Sequence, residues 1–428
     1  MFTNKKTQRP DAAPRTLPAP ALERLEDRTL LSGNVIGVVA AGTLTLTGDG
    51  GDNTFTVDQA GLSAQQFRLT PDGTTQINNS GLGVPVIFNV VNRDVKMNLG
   101  DGNDTVTFTS AALPGNLVVN GGDGDNAVNL DASTVARRVK ITNGVGNDIF
   151  RLVNASRVDN SVAINNGDGD SATLLDNSII LWDLKVIAAD GADTLDIVNV
   201  SLVNRYVRTF FDEGGSTTTV DNSGITGRLF VAADPGGTDV VNVLNGSTLS
   251  KGANLYSAGS LVFTADDSRF DDNVVARGDA GLTASLLNGS YFAFRLALSG
   301  GSTAASNIIL NNITANGAFS IRTDGGSDTV TIDDSTFNKT ASVRLGGGDD
   351  TLAIEQTGAG PGPVTTFAGR FTFLGDGGDD TVSLGVPASA GNQVVFDAKS
   401  LFDGGGGLDT HALPENAVYN GPNKFVNF

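Results

Sequence analysis

Short runs of alternating apolar and polar residues recur along most of the chain. Val139 and Ile141 flank a lysine, and Phe150 and Leu152, which follow the loop NGVGND, flank an arginine. Because successive side chains of a strand point to opposite faces, each pair places its two apolar residues on one face. The alternation predicts short β-strands with one buried face, joined by polar loops.

A small residue that follows a short apolar strand recurs with nearly constant spacing. Successive copies are 21 to 24 residues apart. A unit of this length cannot bury its apolar face alone, but stacked units align their apolar residues into one interior. The repeat therefore predicts an all-β fold, a single-stranded parallel β-helix (β-solenoid) with about 22 residues per coil. The marked positions are Ser110, Ser133, Ser156, Ser178, Ser201, Ser223, Ser247, Ser268, Ser290, Ile313, Ser335 and Thr357.

The two ends of the chain lack this regular pattern. The first 20 residues are rich in Pro, Lys, Arg, Thr and Ala without periodicity, which predicts disorder. In the next stretch Leu22, Leu25 and Leu30 fall near one helical face, and Gly33 is a plausible helix end, so a short capping helix is expected. The expected parts are a disordered segment (1–20), a targeting or capping helix (21–33), the parallel β-helix (34–400) and a C-terminal cap or tail (401–428).

Composition narrows the chemistry that the solenoid can carry. The chain has 428 residues and a formal net charge of −19, which excludes a general nucleic-acid binder. It has no cysteine and a single histidine, His411, so disulfides and cysteine-ligated zinc are excluded. No apolar run is long enough for a membrane helix. A metal site would have to use oxygen ligands, which favour hard cations such as calcium.

A Gly/Asp loop of the form G-x-G-x-D-T-V/L separates the two strands of a unit. The clearest copies span residues 100–106 and 346–352. Glycine lets the backbone adopt positive φ, and aspartate oxygens on adjacent coils would lie about 4.8 Å apart, twice a typical Ca–O distance. One calcium ion could therefore bridge two coils. The predicted ligands are Asp101, Asp104, Asp123, Asp125, Asp148, Asp190, Asp193, Asp239, Asp328, Asp349, Asp350, Asp376 and Asp380.

The same loops have a simpler interpretation. Gly, Asp and Asn are the residues of any tight turn, and exposed carboxylates can splay apart and be screened by salt. The loops near Gly215, Ser260, Leu282 and Ala305 lack the aspartate, so any calcium column is interrupted in the middle. Asparagines at the other corner are expected to hydrogen-bond along the stack in a structural role; they are Asn154, Asn177, Asn199, Asn222, Asn245 and Asn288.

Two motifs resemble known families. Residues 22–32 read LERLEDRTLLS and resemble the LEPR-XLL signature near the N-terminus of planctomycete envelope and secreted proteins, with Glu-Asp-Arg where that signature can have Glu-Pro-Arg. The loops resemble the G-G-x-G-x-D-x-U-x repeat of secreted RTX proteins, which binds calcium, although RTX loops come every nine residues and here one loop occurs per coil. The resemblances imply an extracellular or cell-envelope location in a bacterium and calcium along one edge.

These features favour a secreted or cell-surface structural, adhesin-like β-solenoid that binds calcium. The alternative is a polysaccharide lyase or glycoside hydrolase of the pectate-lyase-like β-helix type, but no catalytic residue stands out, so the sequence leans against an enzyme without deciding the question. Expected partners are calcium and extracellular glycans or other envelope proteins, without nucleic acid and without a transmembrane segment. Trp182 is expected in the core, and the irregular coils at 255–310, with Tyr256 and Tyr291, are where a cleft is expected.

Overall fold

Three parallel β-sheets form the walls of a solenoid. The computed structural model describes residues 33–301, 304–356, 364–386, 392–413 and 415–428. Within these ranges the fold is all-β without a helix, with about 14 coils of roughly 23 residues. The parallel β-solenoid expected from the repeat is therefore confirmed.

A regular coil contributes one strand to each sheet in turn. In one coil Val139–Thr142 belongs to the first sheet, Ile149–Val153 to the second and Arg157–Val158 to the third. The Gly/Asp loop joins the first sheet to the second, and the stack of these loops is called the loop edge. The turn that joins the second sheet to the third carries the repeated serine, and its stack is called the serine corner.

The strands of each sheet are as follows. The first sheet contains Gly33–Ala40, Thr43–Thr47, Thr75–Ile77, Val95–Asn98, Leu117–Asn120, Val139–Thr142, Val162–Asn165, Leu184–Ala188, Val207–Phe211, Leu229–Ala233, Ala253–Ser257, Val274–Gly278, Leu296–Gly300, Phe319–Arg322, Ala341–Gly347, Phe371–Gly377, Ser400–Asp403 and Asn423–Val426. The second contains Thr54–Asp58, Phe67–Pro71, Val86–Phe88, Thr105–Thr109, Ala127–Asp131, Ile149–Val153, Ala172–Asp176, Asp193–Val198, Ser216–Asp221, Thr238–Leu244, Ser260–Asp266, Gly281–Leu287, Asn307–Asn311, Thr329–Asp333, Thr351–Ile354, Thr381–Leu384 and Thr410–His411. The third contains Ala112–Leu113, Thr134–Val135, Arg157–Val158, Ile179–Ile180, Leu202–Val203, Gly224–Ile225, Thr248–Leu249, Arg269–Phe270, Tyr291–Phe292, Thr314–Ala315, Thr336–Phe337, Thr365–Phe367, Val394–Phe396 and Ala417–Tyr419.

Like residues stack on like residues inside the solenoid. Val139 pairs with Val162 on the next coil, and all the apolar residues of the predicted alternating pairs in this coil are buried. In the third sheet the rings of Phe337 and Phe367 lie parallel with centroids 4.8 Å apart, and Phe396 continues the stack at 5.2 Å. Burial of each such side chain contributes roughly 1.5–3 kcal/mol, so the apolar columns hold the coils together.

Antiparallel strands cover the first coil. Thr43–Thr47 and Thr54–Asp58 pair in parallel with the following coil, while Gly33–Ala40 and Phe67–Pro71 pair antiparallel with them. Such pairing occupies backbone groups that an open strand edge would expose. The expected disordered segment (1–20) and helix (21–33) lie outside the described residues, except for Gly33, which begins a strand.

The last coils are longer than the repeat predicts. The Ser335 amide donates to Thr365 Oγ1 thirty residues later, so Thr365 occupies the serine position, whereas the marked Thr357 lies outside the described residues. At the other end of the solenoid the serine position is occupied by Ala111 and not by the marked Ser110, because the Ala111 amide donates to Ser133 Oγ. The C-terminal strands, up to Asn423–Val426, still pair into the three sheets. They include residues in the range 401–428, for which a cap or tail was expected.

Candidate metal-binding loops

The residue that closes each Gly/Asp loop points its side chain into the solenoid. Asp148 Oδ1 accepts a hydrogen bond of 3.0 Å from the Asn126 amide one coil earlier, and Asp350 Oδ1 accepts one of 2.8 Å from the Asp328 amide. Because the pattern repeats from coil to coil, these residues form a column, called here the inner ladder. Its members are Asn53, Asp104, Asn126, Asp148, Ser171, Asp193, Ser216, Asp239, Leu261, Leu282, Ser306, Asp328, Asp350, Asp380 and Asp409.

Asparagine members of the inner ladder use their second side-chain atom as a donor. Asn126 Nδ2 donates to the carbonyl oxygens of Gly124, at 2.9 Å, and Gly122, at 3.3 Å. Asn53 Nδ2 likewise donates to Gly51 O at 2.7 Å. The loop carbonyls therefore turn towards the ladder side chain, where they require a positive partner.

Aspartate members put an oxygen where asparagine puts this donor. A Cβ atom added to Gly121 would lie 2.9 Å from Asn126 Nδ2, and one added at the corresponding Gly375 would lie 1.9 Å from Asp380 Oδ2. The second oxygen is buried in every aspartate of the ladder and accepts no hydrogen bond within the described residues; these are the Oδ2 atoms of Asp104, Asp148, Asp193, Asp239, Asp328, Asp350, Asp380 and Asp409. A carboxylate oxygen that faces carbonyl oxygens requires a proton or a cation between them.

Burial also raises the pKa of several inner-ladder carboxyl groups. The pKa of Asp104 and that of Asp350 rise to about 7, chiefly because burial disfavours the charged form. For Asp148, Asp193 and Asp380 burial raises the pKa to about 6. Near neutral pH, loss of these protons leaves charged oxygens inside the loop edge, which is the condition under which a cation is held.

The other predicted ligands lie on the outer side of the loops. Asp125 Oδ1 accepts a hydrogen bond from the Asn147 amide and Asp349 Oδ1 one from the Asp379 amide, so both belong to a second, exposed ladder. Asp123 Oδ1 accepts a hydrogen bond from the Val145 amide. Three further predicted ligands are exposed: Asp101, Asp190 and Asp376, the last paired with Arg344.

The hydrogen bonds of the inner ladder show which oxygen of each aspartate an ion could use. Oδ1 is occupied by a backbone amide of the preceding coil, which leaves the buried Oδ2. An ion could contact Oδ2 together with glycine carbonyls of the same loop. The predicted interruption lies at Leu261 and Leu282, whereas Ser216 and Ser306 remain in the ladder.

The serine corner has its own hydrogen-bond pattern. The Ser133 amide donates to Ser156 Oγ and the Ser178 amide to Ser201 Oγ. The expected asparagines adopt left-handed φ beside these serines, but those with a side-chain bond to the neighbouring coil donate to an aspartate, not to another asparagine. The pairs are Asn154 with Asp131, Asn199 with Asp176, Asn245 with Asp221 and Asn288 with Asp266.

Basic and aromatic side chains collect on the outer face of the first sheet and on the turns that enter it from the third sheet. Trp182, expected in the core, is 46 % exposed, and the Arg205 guanidinium lies 4.8 Å from its ring centroid. Next to it Arg208 lies 4.6 Å from the ring of Tyr206. A shallow pocket adjoins these rings, and its lining residues are Tyr206, Arg208, Phe210, Arg228 and Phe230.

The coils in which a cleft was expected carry a more polar pocket on the same sheet. Arg277 pairs with Asp279 at 2.5 Å and Arg322 with Asp324 at 3.2 Å, and all four side chains line it. Tyr256 is partly exposed, and its hydroxyl donates to Asp279. These ion pairs neutralise much of the basic charge here. The arginines near Trp182 also pair with acids, at longer distances: Arg205 and Arg208 lie 4.0 and 3.9 Å from Asp183.

Comparison of the chain with known protein families, with curated proteins and with solved structures finds no match. Across the residues that the structure describes, no helix is long and apolar enough to cross a membrane.

Proposed function

We propose that the protein is a secreted or cell-surface structural solenoid of adhesin type whose Gly/Asp loops bind calcium. The observation that carries the proposal is the buried second oxygen of each inner-ladder aspartate, which lies where asparagine places a donor to the loop carbonyls. Calcium takes six to eight oxygen ligands and accepts carboxylate, backbone carbonyl and water oxygens together. A loop that offers one carboxylate and at least two carbonyls can supply the protein share of such a shell.

Calcium in these loops would serve the stability of the solenoid. The chain carries a formal charge of −19, and its inner aspartates at 328, 350, 380 and 409 follow one another on consecutive coils. Cations bound in the folded state and absent from the unfolded chain shift the folding equilibrium, by about 2.7 kcal/mol per site at a concentration of 100 Kd. The ions would thus stabilise the stacked loops.

Thermal unfolding followed by circular dichroism tests this role. The midpoint is measured in EDTA and across a calcium titration, with magnesium as the ionic control. We expect a rise with calcium that is much smaller with magnesium, because magnesium demands octahedral geometry and keeps its waters. Asp350→Asn should reduce the calcium response more than Asp267→Asn, since Asp267 is exposed at the serine corner. Equal responses to the two metals, or of the two variants, would point to diffuse charge attraction.

The adhesive part of the proposal is supported by the aromatic cluster where the third sheet leads into the first. Exposed Trp182, stacked by Arg205, and the pocket beside Tyr206 offer flat rings and guanidinium groups, which suit an anionic glycan. Affinity electrophoresis in gels that contain carboxylated or neutral polysaccharide tests this. Trp182→Ala should lose retardation by the carboxylated polymer, whereas Arg151→Ala, on the second sheet, should keep it.

The same cluster is the observation in favour of the second candidate, a polysaccharide lyase or hydrolase. Incubation with the retarding polysaccharide should then release unsaturated or reducing ends, and Trp182→Ala should slow that release. Binding without any cleavage favours the adhesin. Location outside the cell is supported by the resemblance of residues 22–32 to an export-associated signature, and fractionation of the native host tests it.

A further inference from the structure

The pairs at the serine corner obey a rule that one coil breaks. In four coils an aspartate that ends a second-sheet strand accepts the side-chain amide of a left-handed asparagine on the next coil, at 2.7 or 2.8 Å. One of them has the sequence Asp266-Asp267-Ser268, with Asn288 as its donor. Each pair satisfies a carboxylate oxygen with an N–H group.

The sequence Asp333-Asp334-Ser335 repeats the same acidic corner, but the left-handed residue on the next coil is Glu355. The carboxylate of Glu355 therefore stands where the other corners place an amide donor. One oxygen from each of Asp333, Asp334 and Glu355 lies within 4.8 Å of the other two. An ion at equal distance from three oxygens at this upper limit lies about 2.8 Å from each, so a shift of a few tenths of an ångström brings all three within the range of about 2.3–2.6 Å typical of Ca–O bonds.

Burial makes this cluster different from an ordinary patch of surface acids. Asp333 is 3 % exposed and Glu355 is fully buried. Glu355 Oε1 accepts the Asp334 amide at 2.9 Å, while Oε2, also buried, receives no N–H or O–H donor from the described residues. An anionic oxygen in such a position is costly unless a positive group completes it.

We propose that Asp333, Asp334 and Glu355 form a calcium site at the serine corner. The half-exposed Asp334 opens the site to solvent, and the buried pair supplies the strong ligands. Three carboxylates with additional water suit the flexible shell of calcium better than that of magnesium, which seldom uses an all-carboxylate cage. The site lies on a different edge from the Gly/Asp loops and does not depend on them.

A proton shared between the two buried carboxyl groups is the competing arrangement, and it would need no metal. The two arrangements differ in the number of ions bound per chain. Equilibrium dialysis of the full chain against calcium at pH 7.5, with magnesium as a separate arm, measures that number. Glu355→Asn, which restores the donor type of the other corners, should lose one calcium ion per chain.

Two further variants make the result independent of folding defects. Asp334→Asn keeps a residue that readily adopts left-handed φ and should weaken the same ion at least tenfold. Asn288→Gln, at the corner that already has an amide donor, should leave the stoichiometry unchanged. If the loops bind no calcium, the unaltered chain should still bind one ion, and Glu355→Asn should remove it. Unchanged stoichiometry and affinity in both Glu355→Asn and Asp334→Asn, or no calcium bound by the unaltered chain, would overturn the proposal.

Discussion

Replacement of Asp350 by asparagine should stabilise the metal-free protein at high pH. Asp350 is buried, its Oδ1 accepts the Asp328 amide, and its Oδ2 receives no donor. Asparagine has the same shape, keeps the acceptor and adds a donor towards the loop carbonyls, as Asn126 does. The substitution thus removes a buried titrating group without a change in packing.

The magnitude follows from the pKa of the carboxyl group. Burial raises the pKa of Asp350 from 3.8 to about 7, and the neighbouring Asp328 and Asp380 add to the effect. Between these pH values the unfolded chain has lost the proton and the folded chain still holds it, so stability falls as pH rises. The loss is complete above about pH 7 and amounts to at most about 4 kcal/mol. Asparagine does not titrate and avoids it.

The assay is the thermal midpoint in EDTA at pH 4 and pH 8, with Asp267→Asn as the control. For a solenoid of roughly 400 residues, 4 kcal/mol corresponds to about 5 °C. We expect Asp350→Asn to melt up to about 5 °C above the unaltered protein at pH 8 and at nearly the same temperature at pH 4. Saturating calcium should reduce or reverse the difference at pH 8, because only the aspartate can bind the ion. A variant that melts lower at pH 8 in EDTA, or shows the same difference at both pH values, refutes this account of Oδ2.

Two other substitutions test the stacking itself. Gly124→Ala should lower the free energy of unfolding by at least about 1–3 kcal/mol, because Gly124 has φ of 113° and a Cβ there would lie 2.3 Å from Gly102 O on the preceding coil. The control is Gly73→Ala, where a Cβ meets nothing within 4 Å, and it should change the thermal midpoint little. Equal midpoints of the two variants would contradict the close approach of the loops. Phe367→Ala should destabilise the protein by about 3–5 kcal/mol in chemical unfolding, since it removes a buried ring stacked between Phe337 and Phe396. The control is Phe210→Ala at an exposed site. A loss of stability no larger than that of the control would contradict the continuous aromatic column.

The repeat predicts the fold because each coil must align like side chains with its neighbours. Ser133 and Ser156 are adjacent in the structure for the same reason that they are 23 residues apart in the sequence. The three-walled cross-section was not predictable in this way, because the third-sheet strands, such as Thr134–Val135, have two residues and show no alternation. Coil length at Thr365 was missed because Thr365 keeps its place beside Ser335 although thirty residues separate the two.

The loop aspartates were predictable as a set but not in their individual roles. Asp349 and Asp350 are adjacent in sequence, yet one accepts an amide on the exposed face and the other is buried in the inner ladder. Which of two neighbouring carboxylates faces inward depends on the path of the loop. The cluster around Glu355 was missed because its members meet only through stacking of two corners that differ in length from coil to coil.

The interrupted coils show what an inner aspartate needs. Where Leu261 and Leu282 replace the polar ladder residue, only two residues separate the first-sheet strand from the second: Ser257 is followed by Ser260, and Gly278 by Gly281. The Gly/Asp loop and its inward carbonyls are lost there, and a leucine fills the interior. Among the described residues, inner aspartates occur only on coils that keep a loop before the second sheet, where Oδ1 bonds the preceding amide and Oδ2 is buried without a donor. The proposed calcium role rests on this combination of a buried second oxygen and a loop whose carbonyls lie beside it, because a leucine in an uninterrupted strand offers neither.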